Sequence, residues 1–250
     1  TQEVSKRLVE LTEIKPGSKV LDIATGIGEP ALTAAKQVGN TVHILAIDIS
    51  SQRLSFAKER AICLGLQEVI EFKEGDAETI DLPSSTFDAA LCRWGLMFLP
   101  DPQACLSNIY GSLVKGGHFA AAVWASPEKV PFISVPMNIV LKETNSPPPR
   151  TLGPFSMSDQ NNLKKLFEES GFVHIVTERI KVVSDFDSSD DFAVFTIDHG
   201  GPALQKVLAG ETEERRQQIE KAISKGSEKY ADSTGKVRFE NEAIVIVGRK

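Results

Sequence analysis

The chain is poor in the residues that mark a metal site, a disulfide scaffold or a membrane anchor. Only three cysteines, Cys63, Cys92 and Cys105, stand among 250 residues, with no C-x-x-C pair and no metal-ligand spacing. Buried, reduced thiols are therefore expected. No apolar run approaches the ~20 residues that a membrane helix needs, and no signal-peptide pattern is present. A cytoplasmic protein without a membrane span is expected. Lysine and arginine form no block and the formal net charge is −6, which argues against a nucleic-acid partner, since such proteins normally carry a basic face. A small-molecule partner is left by elimination. The sequence opens at Thr1 inside a helix-like stretch, TQEVSKRLVELTEI, without an initiator methionine, so further chain upstream is expected; oligomeric state is not legible.

What is present is an alternation. Hydrophobic residues make up 41% and charged residues 25%, near globular averages. KVLDIAT (19–25), VHILAID (42–48), VIEFKEG (69–75), FDAALCR (87–93) and HFAAAVW (118–124) read as strands. EPALTAAKQV and SQRLSFAKERAICLG read as the first two intervening helices. PDPQACLSNIYGSLVKGG reads as another, closed by Gly116 and Gly117, where a left-handed cap is cheap. This order implies a doubly wound α/β sheet with right-handed crossovers.

The second half is less regular. SPPPR (146–150) reads as a stiff connector, and SDQNNLKKLFEESGF as a helix capped by Ser158 or Asp159 and ended by Gly171. VHIVTERIKVV alternates like a strand, residues 184–234 are polar and helical, and ENEAIVIVGRK closes the chain as an apolar strand. The expectation is a single domain over 1–250, a mostly parallel seven-stranded sheet with a helical insertion at 184–234 before the last strand. That strand is expected antiparallel at the sheet edge, with the insertion over the substrate side.

The chemistry concentrates in LDIATGIGEPAL (21–32). Gly26 and Gly28 allow close backbone approach to a ligand, and the helix that follows offers its positive end. Gly26, Gly28 and Ala31 fit G-x-G-x-x-[G/A], with Asp48 20 residues beyond Gly28. By that pattern alone a nicotinamide dinucleotide fits. Two carboxylates shift the balance. Asp22, inside the strand, would repel a pyrophosphate but suits an ammonium group. Asp76, in EGDAE after the third strand, can accept from an adenine amino group while the Ala77 N–H meets the ring.

VLDIATGIGEPAL, AIDIS, EGDAETIDLPSSTFDAALCRWGLMFLPDP and GGHFAAAVW together resemble the class I S-adenosylmethionine-dependent methyltransferases, nearest their UbiE-like small-molecule branch. The resemblance implies a Rossmann-like fold, S-adenosylmethionine as cofactor and S-adenosylhomocysteine as product. It implies that Asp22, Ala24, Gly26 and Gly28 surround the methionine part and that Asp48 binds the ribose. Ile49 would pack on adenine, Asp76 and Ala77 would read its edge, and the backbone near Arg93 would meet the sulfonium. Ala24 stands where the family motif has its first glycine. Where the metal-dependent catechol branch has an acid, this sequence has Arg93 and Trp94, so no metal is expected.

Methyl transfer is an in-line displacement served by alignment, so no obligatory catalytic residue is expected; His199, in the insertion, is the one candidate base. Trp94, Met97, Phe98, Trp124 and Phe132, beyond the carboxyl ends of strands four and five, would form a pocket for a small, partly apolar or aromatic acceptor. Asp185, Asp187, Asp190 and Asp191 lack the glycine and glutamate of a calcium loop and read as a turn and helix cap. Two other functions stay open from the residues: an NAD(P)-dependent oxidoreductase, and a non-catalytic S-adenosylmethionine-binding protein.

Overall fold

A computed structural model describes residues 1–148 and 152–250. The connector expected at 146–150 therefore falls partly outside the described residues. The elements are α1 (Gln2–Leu11), β1 (Lys19–Ile23), α2 (Ala31–Val38), β2 (His43–Asp48), α3 (Ser51–Cys63), β3 (Ile70–Glu74), β4 (Phe87–Arg93), α4 (Pro102–Ser112) and β5 (Leu113–Trp124). They continue with α5 (Pro131–Glu143), α6 (Gln160–Glu169), β6 (Val173–Phe186), α7 (Ser189–His199), α8 (Pro202–Leu208), α9 (Glu213–Ser227) and β7 (Val237–Arg249). Short 3-10 turns add Leu96–Phe98, Pro127–Lys129 and Glu228–Tyr230.

Seven strands form one sheet in the order β3-β2-β1-β4-β5-β7-β6. The pairs β1–β2, β1–β4, β2–β3 and β4–β5 are parallel, and β7 runs antiparallel to β5. Residues Val20 to Ile23, Ala89 to Cys92 and Phe119 to Val123 are buried without a break. Unbroken burial, rather than alternation, is what strands covered on both faces show, with Asp22 the one charged residue in these runs.

Three expectations need correction. β7 is antiparallel but lies inside the sheet, between β5 and β6, and β6 is the edge strand on that side. Its buried run Ala243 to Val247 explains this, because an edge position would leave part of that surface exposed. Second, α4 ends at Ser112 and not at the glycine pair: Leu113 is already extended, at φ −73 and ψ 147. Gly116 does take a positive φ of +86, but at a register shift within β5, where its N–H donates to the Lys250 carbonyl at 2.9 Å. Third, Cys92 and Cys105 are buried but Cys63 is exposed, since it ends α3 beyond the buried stripe of Leu54, Ala57 and Ala61.

Local chemistry accounts for the helix starts. Ser50 caps α3 by accepting from Arg53 N–H at 3.3 Å, Asp101 caps α4 from Ala104 N–H at 3.0 Å, and Asp159 caps α6. Ser188 caps α7 from Asp191 N–H at 3.0 Å, leaving Asp190 and Asp191 in the first turn, where acids suit the helix dipole. Asp185 and Asp187 pair with Arg238 and Lys236.

The chain divides into two compact units. The first comprises Thr1–Trp124, Pro154–Ile180 and Ala243–Lys250. The second comprises Ala125–Gly153 and Lys181–Glu242; it therefore takes in α5 as well as α7, α8 and α9. Its own core gathers Val140, Phe192, Leu204, Ile219, Ile223 and Phe239, with Phe132 and Phe186 packed against them.

Candidate functional site

The site is built at the carboxyl ends of β1, β2 and β4, all in the first unit. β1 delivers Asp22, fully buried. Its Oδ2 accepts from the Thr25 hydroxyl at 2.6 Å and from the Ala31 N–H, the first residue of α2, at 2.9 Å. Its Oδ1 is buried with no hydrogen-bond partner. Loss of hydration pushes the Asp22 carboxyl up to about 7, with Thr25, Ala31 and Arg93 pulling the other way.

The turn after β1 holds three residues in the left-handed region: Ala24 at φ +55, Gly26 at +58 and Gly28 at +98. Ala24 thus carries a conformation natural to the glycine it replaces, at a cost on the order of 1 kcal/mol. A Cβ built on Gly26 would meet nothing within 4 Å, whereas one on Gly28 would lie 2.8 Å from Leu32 Cδ1. Gly26 therefore borders open space, while Gly28 allows the turn to close on α2.

β2 ends in Asp48, itself only 4% exposed. Its Oδ2 accepts from Gly26 N–H at 2.8 Å and its Oδ1 from Ser50 N–H at 2.9 Å. Its carbonyl accepts from Gly75 N–H at 3.1 Å, which ties the loop after β3 to the same place. Ile49 follows at 71% exposure. Asp76 is partly buried and caps its own turn, accepting from Glu78 N–H at 2.9 Å; Ala77 is buried.

β4 ends in Arg93. The guanidinium is turned under α1, where Nη1 donates to Ser5 Oγ at 2.8 Å and to the Thr1 carbonyl at 3.3 Å. Its Nε is buried without a partner. Burial lowers the Arg93 pKa, and the nearby carboxylates of Glu29 and Asp22 oppose that shift. Asp22 pairs with Leu91 across β1 and β4, so the alternation of side chains puts Asp22 and Arg93 on one face of the sheet.

Beyond Arg93 the chain turns through Trp94 at φ +62, anchored by its N–H to the Ala122 carbonyl at 2.9 Å. The Trp94 indole lies on that of Trp124, centroids 3.9 Å apart and planes 8° from parallel. Phe98 is 44% exposed, while Met97 is buried with its carbonyl accepting from Ser156 Oγ at 2.7 Å. Phe132 belongs to the second unit's aromatic cluster, near Phe186, Phe192, Phe195 and Phe239. His199 is the exposed last residue of α7, its ring 5.3 Å from that of Phe195.

Several participants escaped the sequence reading. A Cβ on Gly95 would fall 2.6 Å from Ala24 Cβ and 2.7 Å from Cys92 Sγ, so this glycine lets the β4 end close onto the glycine turn. Arg60 donates to the Ile27 carbonyl and lies 3.5 Å from Glu29, bracing the turn from α3. Thr25, Ser5 and Arg60 sit in no recognisable pattern; Gly95 had at least its place after an aromatic at a strand end.

Comparison with known proteins now decides the family. A family model described as a methyltransferase domain matches residues 14–171. The chain belongs to the methyltransferase domain family. Phosphoethanolamine N-methyltransferase 1 of Arabidopsis thaliana is 28% identical over 234 residues, 93% of this chain and 40% of that protein. The ubiquinone/menaquinone biosynthesis C-methyltransferase UbiE of Brucella anthropi is 32% identical over 114 residues, 46% of this chain and 43% of that one. This methyltransferase-domain chain thus spans under half the length of both.

Phosphoethanolamine N-methyltransferase 2 of Haemonchus contortus, solved with phosphomonomethylethanolamine and S-adenosylhomocysteine, superposes with a TM-score of 0.62 at 16% identity, over 99% of this chain and 52% of that one. At that identity the likeness establishes the fold alone. The seven-stranded, mostly parallel Rossmann-like sheet and the methyltransferase resemblance read from the sequence both stand. Among the described residues, no helix is long and apolar enough to cross a membrane.

Proposed function

We propose that this chain transfers the methyl group of S-adenosylmethionine to a small, partly apolar or aromatic acceptor. One observation carries the reading: the protein's own carboxylates occupy the N–H groups that a pyrophosphate would need. Asp22 takes the N–H of Ala31 at the start of α2, and Asp48 takes that of Gly26. In a dinucleotide turn those donors face phosphate oxygens. Here a phosphate would meet two acids, whereas an ammonium and a ribose would meet acceptors.

The residues fit the sulfonium cofactor. The unpartnered Oδ1 of Asp22 suits its ammonium. Asp48 has lone pairs to spare beyond its two backbone bonds and suits ribose hydroxyls. Ala24, Gly26 and Gly28 would surround the methionine part, exposed Ile49 would take the adenine face, and Asp76 with Ala77 its edge. The backbone at Arg93 would meet the sulfonium end. When bound, the cofactor supplies an electrophilic methyl group. The chain's part is to align an acceptor's lone pair with it and to exclude water. Trp94, Met97, Phe98 and Trp124, all of the first unit, are the proposed acceptor residues. Solvent takes the proton of an acceptor that must lose one.

Calorimetric titration with S-adenosylmethionine, S-adenosylhomocysteine and NADH tests this, with Asp48→Ala as control and labelled-methyl transfer as the activity readout. Binding of the first two, lost in the control, is expected. Binding of NADH alone would favour the oxidoreductase, and cofactor binding without turnover across a broad acceptor set would favour the non-catalytic reading.

A further inference from the structure

The outer face of α3 carries apolar groups where a solvent-facing helix is expected to be polar. Leu54, Ala57 and Ala61 turn one stripe into the molecule. Phe56, Glu59, Arg60 and Cys63 follow at i, i+3, i+4 and i+7, a spacing that sets them on the opposite side of the helix. Together with Ile27, Lys36 and Leu64 they line a groove of about 670 Å³. Ile27, Phe56 and Leu64 are 49%, 52% and 41% exposed in it. Large apolar groups gathered in one exposed patch mark a contact surface, whereas scattered ones do not. All of these residues belong to the first unit.

The charges in the groove say what covers it. Arg60 is already engaged, donating to the Ile27 carbonyl and lying 3.5 Å from Glu29. Lys36 and Glu59 are exposed, and neither forms an ion pair among the described residues. One cation beside one anion gives the groove no net sign with which to select a charged ligand. A two-fold contact satisfies both at once, because each copy offers the other the same patch in reverse. We propose that this face is the contact between two copies of the chain. In it α3 packs on α3, Phe56 seats in the facing groove, and Lys36 pairs with Glu59 of the partner subunit. The apolar groups supply the affinity and the reciprocal ion pairs fix the register. The covered face includes Ile27, between Gly26 and Gly28, and Arg60, which braces that turn. It uses none of the residues assigned to cofactor or acceptor, so it stands apart from the methyltransferase reading.

Sedimentation velocity of the whole chain at micromolar concentrations, in salt near physiological strength, reads the association directly. A concentration-dependent dimer is expected. Phe56→Asp should raise its dissociation constant by about a hundredfold. Lys36→Glu and Glu59→Lys should each raise it by about tenfold, and their combination should return it to within about threefold of the wild type. All three positions are exposed, so thermal unfolding should show every variant folded. Cys63 gives a second readout, since it is exposed while Cys92 and Cys105 are buried. Its alkylation by N-ethylmaleimide should slow severalfold as the dimer forms. A monomer across the whole concentration range would overturn the proposal and leave the groove to a small apolar ligand or another protein. A dimer that Phe56→Asp and the single charge reversals leave intact would also overturn it, by placing the contact elsewhere. Rescue by the paired reversal is the decisive result, because a role confined to one copy's own fold would not produce it.

Discussion

Asp48 Oδ2 accepts the Gly26 N–H at 2.8 Å, so the acid at the end of β2 shapes the glycine turn at the end of β1 as well as facing the proposed ribose position. A substitution here therefore acts twice. Asp48→Ala is expected to weaken S-adenosylmethionine binding by about a hundredfold, from lost hydroxyl contacts and a loosened turn. Asp48→Asn should lose about tenfold, since its single amide oxygen can accept from Gly26 N–H or from Ser50 N–H but its amide nitrogen from neither. Calorimetry on both variants separates the two contributions; equal losses would refute this division.

Asp22 predicts a pH dependence of definite sign. Its folded carboxyl titrates at about 7, against about 3.9 in an unfolded chain. Between those values the unfolded state releases a proton that the folded state keeps. Its contribution to stability is therefore full below about pH 4, falls as pH rises, and levels off above about pH 7, a total on the order of 4 kcal/mol. Urea unfolding of wild type and Asp22→Asn across this range should show the variant's advantage growing with pH. A flat difference would mean that Asp22 is ionised throughout.

The same residue makes a separable statement about binding. A ligand ammonium beside Asp22 favours the ionised carboxylate, so S-adenosylmethionine affinity should rise between about pH 6 and pH 8 in the wild type. In Asp22→Asn that rise should vanish while affinity falls overall. A parallel rise in both proteins would place the ammonium elsewhere.

Gly95→Ala tests how tightly the β4 end is pressed on the glycine turn. The new methyl group would come within 2.7 Å of both Ala24 Cβ and Cys92 Sγ, and both are short side chains with little freedom to move aside. A loss of about 1–3 kcal/mol is expected, accompanied by weaker cofactor binding because Ala24 must shift. Thermal unfolding and calorimetry report the two effects. Full stability would show that the turn yields easily.

Trp94 and Trp124 are the protein's only tryptophans, and parallel indoles 3.9 Å apart couple electronically. An exciton couplet in the circular dichroism spectrum is expected, and Trp94→Phe should abolish it while costing about 1 kcal/mol. A couplet surviving that substitution would contradict the stack.

Much of this architecture was legible in the residues. The strands of the first half and their intervening helices follow from apolar runs and helical spacing. Ser50, Asp101 and Asp159 cap within a few residues of themselves. The glycine turn declared itself because positive φ is open to few other residues. By contrast, α4 was read five residues too long, because VKGG carries the composition of a helix end; only pairing of Leu113 with Phe87 shows those residues to be strand. The placing of β7 inside the sheet was likewise invisible, since an apolar strand looks the same beside one neighbour or between two.

By itself, then, the sequence determined what local physics determines: which segments are helix or strand, where they start, and which turn can approach a ligand. Only the tertiary structure decided which groups remain unsatisfied there. Asp22 reaches Ala31, Asp48 reaches Gly26, Arg93 reaches Ser5 and Trp94 reaches Trp124. Each of these contacts joins residues from different elements, and its distance depends on how the whole sheet closes. No periodicity or propensity encodes that closure. The lone oxygen of Asp22 and the ring face of Trp94 exist only once the packing around them is complete.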